Sequence, residues 1–361
     1  MNGAHPYLQI DEVRGVLPTK FAEDPKGVEV TPDDLCIVWD GANAGTVGYG
    51  VTGLIGSTVA RMRLIEPSKW ETRFLGRLLE GKFRELNDQA QARGATIPHV
   101  DKNKLEEIRL PKLDPEDQRR IAAILDKADD IRRKREQALA LADDFLRSLF
   151  LDMFGDPVTN PKGWDECTLD EIADIASGLT KGRKIRPDQS TRAVPYMRVA
   201  NVQDGHLALN EIKKIEATEV EIERYLLKAN DILLTEGGDP DKLGRGSVWS
   251  GEIDECIHQN HIFRVRLNAD LIHPLILQNQ IGSQRGKRYF LRAAKQTTGI
   301  ASINKTQLSK YPVLLPSKAA QENYLVLAKK VQTTINSLQF SADESSDLFS
   351  SLSQRAFRGE L

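Results

Sequence analysis

The chain has little cysteine. Its 361 residues hold three, Cys36, Cys167 and Cys256, far apart and never spaced CxxC. That excludes a disulfide scaffold and a cysteine-rich zinc site, and it fits a reducing compartment. Long hydrophobic runs are missing as well. No apolar run approaches the roughly 18 residues of a membrane-spanning helix, and the first 25 residues carry no charged-then-apolar leader. The expectation is a cytoplasmic protein, neither secreted nor membrane-spanning. Net charge is nearly absent, with 50 Lys+Arg against 52 Asp+Glu, so no global field points to a nucleic-acid partner. No Gly-rich segment has Walker or dinucleotide-binding spacing. No Asn-Pro-Pro-aromatic tetrapeptide occurs either, which removes any recognisable amino-methyltransferase site.

What is present is a repeat. At roughly 100–200 residues per domain, the length suggests two domains, and 40% apolar residues can bury a real core. Residues 97–105 read IPHVDKNKL and residues 300–308 read IASINKTQL, an offset of 203. The same offset pairs Arg61-Met62-Arg63-Leu64 with Arg264-Val265-Arg266-Leu267, Gln118 with Gln321, and Phe154 with Phe357. Upstream the offset drifts, as loop indels make it: Asp34-Leu35-Cys36-Ile37 matches Asp231-Ile232-Leu233-Leu234, and Pro6-Tyr7-Leu8 matches Pro195-Tyr196-Met197. One order kept across both halves indicates a tandem duplication.

Each copy has two parts. The first mixes short β-rich runs, such as Cys36–Trp39 and Ile262–Leu267, with Gly/Asp turns, and reads as a mixed α/β globule. The second is helical. Asp114 suits an N-cap, Pro115 the first helical position, and no Gly or Pro follows until Gly155. The predicted helix has 40 residues and is about 60 Å long at 1.5 Å per residue; in the second copy Ser317 takes the cap position. Tyr324, Ala328, Val331, Ile335, Leu338, Ala342, Ser345, Phe349, Leu352 and Ala356 alternate steps of four and three, as do Ile121, Leu125, Ala128, Arg132, Arg135, Leu139, Ala142, Leu146, Leu149 and Met153. Both helices thus carry a heptad seam. An amphipathic helix lying on its own domain has the same pattern, but 60 Å outruns a globule of this size. The expected fold is α+β: globules at 1–113 and 158–315, each followed by a long helix (114–157 and 316–361), the helices pairing as an antiparallel coiled-coil-like strut.

The chemistry is mostly negative. His258 and His261, with Cys256 nearby, loosely suggest a metal site, but no second ligand pair completes four-coordination, and they read as polar residues of a strand entry. Asp239-Pro240-Asp241-Lys242 superficially resembles a nuclease carboxylate–lysine cluster, yet after Gly237-Gly238 it reads as a turn. The positive signal is local charge. From Leu271 to Ala320 there is no Asp or Glu, while Arg285, Lys287, Arg288, Arg292, Lys295, Lys305, Lys310 and Lys318 supply eight cations. Gln296, Thr298 and Gln307 interleave with them. Cations neutralise phosphates, and amides or hydroxyls read base edges; a solvated basic face remains the plain alternative. The first copy's counterpart is weaker, with Arg77, Lys82, Arg84, Arg93, Lys102 and Lys104 among six acids. A second cluster, Lys181, Arg183, Lys184, Arg186 and Arg192, precedes Pro195-Tyr196.

Several segments carry a family likeness: Asn160-Pro161-Lys162-Gly163-Trp164; Asp231–Gly238 followed by Asp241-Lys242-Leu243-Gly244-Arg245-Gly246; Leu110-Pro111-Lys112-Leu113 before a Gln-bearing long helix; and the ending Leu352–Leu361. In this order, and with the duplication, the chain resembles the specificity subunit of type I restriction–modification enzymes over nearly its whole length. The resemblance implies two target-recognition domains, each reading half of a split double-stranded DNA site, with Lys242 and Arg245 joining the candidate contacts. It implies no active site in this chain. Two modification subunits would methylate adenine with S-adenosylmethionine, and restriction subunits, where present, would use ATP and Mg2+. One departure stands out. The second copy takes about 30 residues from Trp164 to reach Pro195-Tyr196, whereas the first reaches Pro6-Tyr7 almost at once. The first recognition domain is expected to be shortened, or to start upstream. Two rival readings stay open: an assembly scaffold that no longer reads DNA, and a nuclease built on Asp239–Lys242.

Overall fold

Short aliphatic runs bounded by Gly and Asp turns form strands, and the uninterrupted charged-apolar stretches form two long helices. The computed structural model describes residues 4–24, 26–83, 86–87, 98–239, 243–268, 270–297 and 300–361. Among these, no helix is long and apolar enough to cross a membrane. The chain divides into two compact units, residues 1–141 with 335–361, and residues 142–334. The division cuts through both long helices.

The first unit contains β1 (His5–Leu8), α1 (Ile10–Val13), β2 (Phe21–Ala22), β3 (Val28–Val30), β4 (Leu35–Val38), β5 (Val47–Tyr49), β6 (Gly53–Ile55), β7 (Val59–Met62), α2 (Thr72–Glu80), α3 (Lys102–Glu106) and the start of α4 (Pro115–Phe154). One sheet has the order β2-β1-β6-β3, with β1 parallel to β6, and another the antiparallel order β5-β4-β7. All four residues of β4 are buried. Phe74, Leu75 and Leu78 of α2 pack with Ile121 and Leu125 of α4.

The second unit contains β8 (Asp165–Thr168), α5 (Leu169–Ile172), β9 (Ala173–Ser177), β10 (Arg192–Met197), β11 (Lys213–Ala217), α6 (Glu219–Tyr225), β12 (Ile232–Thr235), β13 (Gly237–Gly238), β14 (Gly246–Val248), β15 (Ile257–His258), β16 (Ile262–Leu267), α7 (Pro274–Gly282), α8 (Gln284–Ala293), β17 (Lys295–Thr297), β18 (Ile300–Ser302), α9 (Lys305–Ser309), β19 (Pro312–Leu315) and the start of α10 (Lys318–Arg358). Its sheets run β11-β10-β15, β14-β12-β16-β9, β13-β18-β17 and β19-β8. β10 is parallel to β15 as β1 is to β6, and β14-β12-β16 repeats β5-β4-β7.

The duplication extends to buried polar groups. Asp34 and Asp231, each 1% exposed, close a turn by accepting the Thr31 or Lys228 N–H. Each also grips a guanidinium with both oxygens, Arg63 at 2.6 and 2.7 Å and Arg266 at 2.7 Å twice. The Arg63 hydrogen bonds hold the Asp34 carboxyl well below the usual carboxylate range. Gln118 accepts the Glu71 N–H and donates to the Lys69 and Leu113 carbonyls. Gln321 does the same with His273, Leu271 and Pro316. Each thus ties a long helix to the backbone of its own globule.

In the first unit the two long helices pair antiparallel. Ile121 and Leu125 of α4 share a cluster with Ala356, Phe349 and Leu352 of α10. The Arg132 guanidinium lies 5.6 Å from the Phe349 ring centre, and Arg135 donates to the Ser341 carbonyl at 2.5 Å. Leu139, Ile335 and Leu338 are half-buried on the same stretch. In the second unit Phe150 and Phe154 of α4 meet Tyr324 of α10, with ring centres 5.7 and 5.2 Å apart. Leu146, Leu149 and Met153 pack against that cluster, and Val331 is half-buried. Phe150 and Phe154 lie one position off the predicted seam. The buried face is wider there because this end of α4 packs on the second globule as well as on α10.

Candidate nucleic-acid interface

The basic segment before β10 is seated by a close backbone approach. Leu179 N–H donates to the His258 carbonyl at 2.8 Å, and Asn260 N–H donates back to Leu179 at 3.0 Å. Gly178 is required there, since a Cβ would stand 2.0 Å from the His258 oxygen. Arg183, singled out as a DNA contact, instead anchors the segment. It pairs with Glu221 and donates to the Glu216 carbonyl at 3.1 Å. The Arg183 pairing pulls the Glu221 carboxyl down to about 2. Arg192 is likewise held, by Glu219 at 2.6 Å and Glu255 at 2.8 Å. Lys181, Lys184 and Arg186 remain exposed and make no ion pair with another described residue.

Backbone hydrogen bonds connect this segment to three distant stretches. Past Asn260, the His261 carbonyl accepts the Glu236 N–H at 3.0 Å, and the Glu236 carbonyl accepts the Ile303 N–H at 2.9 Å. β13 pairs with β18, and β18 with β17, so Gly237, Ala301 and Gln296 lie in one small sheet. His261 Nδ1 is 2.7 Å from Glu236 Oε2, and Asn260 Nδ2 is 3.3 Å from His261 Nε2. Arg292, in the last turn of α8, and Lys295, opening β17, are exposed cations on the approach to this sheet and make no ion pair with another described residue. Backbone hydrogen bonds thus link the start of the basic segment, at Leu179, to Asn260 and His261, and through Glu236 to the small sheet that Lys295 opens.

Other expected contacts are placed elsewhere. Arg285 is a correction: its guanidinium pairs with Glu166 and donates to the Pro157 and Pro312 carbonyls at 2.9 and 3.2 Å. With three internal acceptors it has little left for phosphate. Arg77 is a second correction. It is 9% exposed and bridges α2 to α4 through Asp126 at 2.7 Å and Asp129 at 3.0 Å, with Glu80 at 2.9 Å. Arg245 is half-buried and reaches Gln203 at 3.3 Å. Lys287 stands 3.9 Å from Asp204. It lines, with the exposed Arg288, a cleft of about 660 Å³ beside Arg147 and Phe150 of α4. Lys305 is exposed at the start of α9, and Lys102 at the start of α3, 3.7 Å from Glu106. Arg84, Arg93, Lys242 and Thr298 lie outside the described residues, as do Pro240 and Asp241 of the suspected nuclease turn.

Sequence reasoning missed Gln259 and Asn260 and weighed His261 only as a metal ligand. The available signal was their place directly after β15, beside the glycine that seats the basic segment. Cys256 and His258 are buried, and His258 Nδ1 lies 3.1 Å from the Tyr225 carbonyl. Burial pushes the His258 imidazole down to about 4, which keeps it neutral with Nδ1–H donating. The first unit's equivalent of Glu236 is Trp39, whose indole N–H donates to His99 Nε2 at 2.9 Å, while His99 Nδ1 meets Asp40 at 2.5 Å. A neutral imidazole with its proton on Nδ1 satisfies both contacts.

A family model described as "Type I restriction modification DNA specificity domain" matches residues 1–141 and 161–339. The chain belongs to this family. The specificity subunit is 24% identical over 388 residues to the type I restriction enzyme EcoBI specificity subunit of Escherichia coli, covering 99% of this chain and 80% of that protein. It is 27% identical over 295 residues to the MjaVIII specificity subunit of Methanocaldococcus jannaschii, covering 78% of this chain and 64% of that one. Among solved structures, a chain from work on assembly and conformational transition of a type I R-M system aligns with a TM-score of 0.55 at 17% identity, covering 99% and 92% of the two chains. The S subunit of a type I restriction–modification system from M. genitalium aligns with a TM-score of 0.52 at 12% identity, covering 99% and 89%. At these identities the structural likeness speaks for the fold.

Proposed function

We propose that this specificity subunit reads DNA without catalysing a step itself. Each of its two units reads one half of a split double-stranded target and directs adenine methylation or cleavage by partner subunits. On this reading two modification subunits hold S-adenosylmethionine, restriction subunits, where present, use ATP and Mg2+, and the assembly works in the cytoplasm. The observation that carries the proposal is the set of segments 178–186, 236–238, 259–261, 295–297 and 300–302, linked through backbone hydrogen bonds at Leu179, Asn260, His261 and Glu236 and through the small sheet. It combines Lys181, Lys184, Arg186, Arg292 and Lys295, which make no ion pair with another described residue, with the side chains of Asn260 and His261. Cations without internal partners are available to phosphates, and amides and imidazoles can pair with base edges in the major groove.

The test is DNA binding by the chain assembled with its modification subunits, titrated with salt. Lys181→Ala, Lys184→Ala and Arg186→Ala together should weaken binding about equally across sequences and reduce the salt slope by about 0.9 for each phosphate no longer neutralised. Asn260→Ala should instead relax preference at one or two base pairs, by about 1–3 kcal/mol each. An assembled complex whose salt slope and base preference ignore all four changes refutes the assignment.

A further inference from the structure

The two units keep their structural polar groups at matching positions and change the groups at one place. Asp34 and Asp231, the arginines they grip, and Gln118 and Gln321 all match. The backbone behind Trp39 matches as well. Trp39 N–H donates to the Thr58 carbonyl at 2.7 Å, and the Trp39 carbonyl accepts the Val100 N–H at 3.0 Å. Glu236 does the same with His261 and Ile303, at 3.0 and 2.9 Å. Asp40 bridges to His99 as Gly237 does to Ser302. Yet Trp39, Asp40, Thr58 and His99 stand where the second unit has Glu236, Gly237, His261 and Ser302. Both units still build a carboxylate–imidazole pair there, Asp40 with His99 at 2.5 Å and Glu236 with His261 at 2.7 Å. A pair copied with the fold would use matching positions. This one is set separately in each unit.

What each pair leaves free differs. In the second unit His261 Nε2 faces the Asn260 amide at 3.3 Å. In the first unit both imidazole nitrogens are taken. Trp39 N–H donates to His99 Nε2 at 2.9 Å, so the ring proton sits on Nδ1 and points at Asp40 Oδ1. The indole meets the imidazole edge-on, with ring centres 5.4 Å apart and planes at 84°, which fixes the imidazole plane. Gly41 N–H donates to the Pro98 carbonyl at 2.9 Å and holds the two backbones together beside the pair. Asp40 Oδ2 makes no hydrogen bond or ion pair with another residue, and the Asp40 and His99 side chains are 35% and 49% exposed. The first unit thus offers solvent an oriented carboxylate oxygen that can only accept.

We propose, on the reading that each unit faces DNA, that Asp40 is a specificity-determining residue of the first unit, accepting a hydrogen bond from the amino group of a cytosine in the major groove, with Trp39 and His99 as its positioning residues. The donors on that groove are cytosine N4 and adenine N6; guanine O6 and N7 and thymine O4 are acceptors and repel a carboxylate. Adenine carries its N7 acceptor beside the amino group, whereas cytosine carries no acceptor beside N4. An acceptor-only group therefore selects cytosine. The Asn260 amide, with donor and acceptor together, suits adenine instead.

The experiment lets the chain, assembled with its modification subunits, select from a randomised double-stranded library, and sequences the bound fragments. Asp40→Asn, which adds a donor, should lower the preference for cytosine at one base pair by about tenfold and admit adenine there, with the other half-site unchanged. His99→Ala should relax the same base pair, and His99→Asn, whose amide N–H can still donate to Asp40, should restore part of the preference. A merely structural role would instead weaken every position alike. Asn260→Ala probes the other half-site. If it shifts preference while Asp40→Asn leaves the motif unchanged, the reading of DNA stands and the role of Asp40 is overturned. A shift at a pair other than C·G, or a loss spread over both half-sites, overturns it as well. If the wild-type complex enriches no motif, the reading of DNA falls, and the role of Asp40 with it.

Discussion

Replacing Gln321 with leucine removes one side chain and orphans three backbone groups. The Gln321 amide oxygen accepts the His273 N–H at 3.0 Å, and its nitrogen donates to the Leu271 and Pro316 carbonyls at 3.0 and 2.8 Å. The residue is 7% exposed, so water cannot readily take over. Leucine keeps similar volume and cannot hydrogen-bond. A buried unsatisfied donor or acceptor costs about 1–3 kcal/mol; with the two carbonyls partly relaxing, the expected loss is about 3–5 kcal/mol. For a unit of this size, at about 2–4 °C per kcal/mol, the melting temperature should fall by about 10 °C. Gln321→Glu sharpens the test. Its carboxylate faces the same two carbonyls, which raises its pKa, so this variant should regain stability as pH falls from 7 to 5. Gln118→Leu is the matched change in the first unit, orphaning the Glu71 N–H and the Lys69 and Leu113 carbonyls. Urea unfolding, with amide exchange to localise the loss to the unit carrying the change, measures both. A loss below about 1 kcal/mol in each refutes the view that these glutamines anchor the long helices.

His258 should make the second unit acid-sensitive. Its folded pKa, about 4, lies below the ordinary 6.5, so its contribution is complete above pH 6.5 and is lost as pH falls toward 4, by about 2 kcal/mol between pH 7.5 and 5.0. Urea titrations at both pH values should show that loss in wild type and its abolition in His258→Phe. Arg77→Met should cost about 3 kcal/mol in thermal denaturation, because Asp126 and Glu80 lose their shared cation, while the salt slope of DNA binding stays unchanged. Lys102→Ala, at an exposed site, should stay within about 0.5 kcal/mol in the same assay. Gly178→Ala should dislodge the basic segment, seen as faster exchange of the Leu179 and Asn260 amides and weaker DNA binding; wild-type exchange and binding would contradict the close approach at His258.

The duplication, the two long helices and the seam each helix carries follow from the sequence, because each rests on spacing along the chain. An offset of 203 aligns Gln118 with Gln321, and steps of four and three line up Tyr324 through Ala356 on one helical face. Those signals are local and survive without knowledge of neighbours. The fate of individual charges does not. Arg77, Arg285 and Arg292 look alike in sequence. Tertiary structure buries the first against Asp126 and Asp129, 49 and 52 residues away. It spends the second on Glu166, 119 residues away, and leaves the third exposed. Only folding brings Asn260 beside Leu179 and His261 beside Glu236, through backbone hydrogen bonds between segments distant in the chain. An arginine paired with a carboxylate from a distant segment holds the fold together, and one without such a neighbour is open to phosphate. Which carboxylates become neighbours is fixed by the packing of the sheets and helices, not by the spacing of charges along the chain.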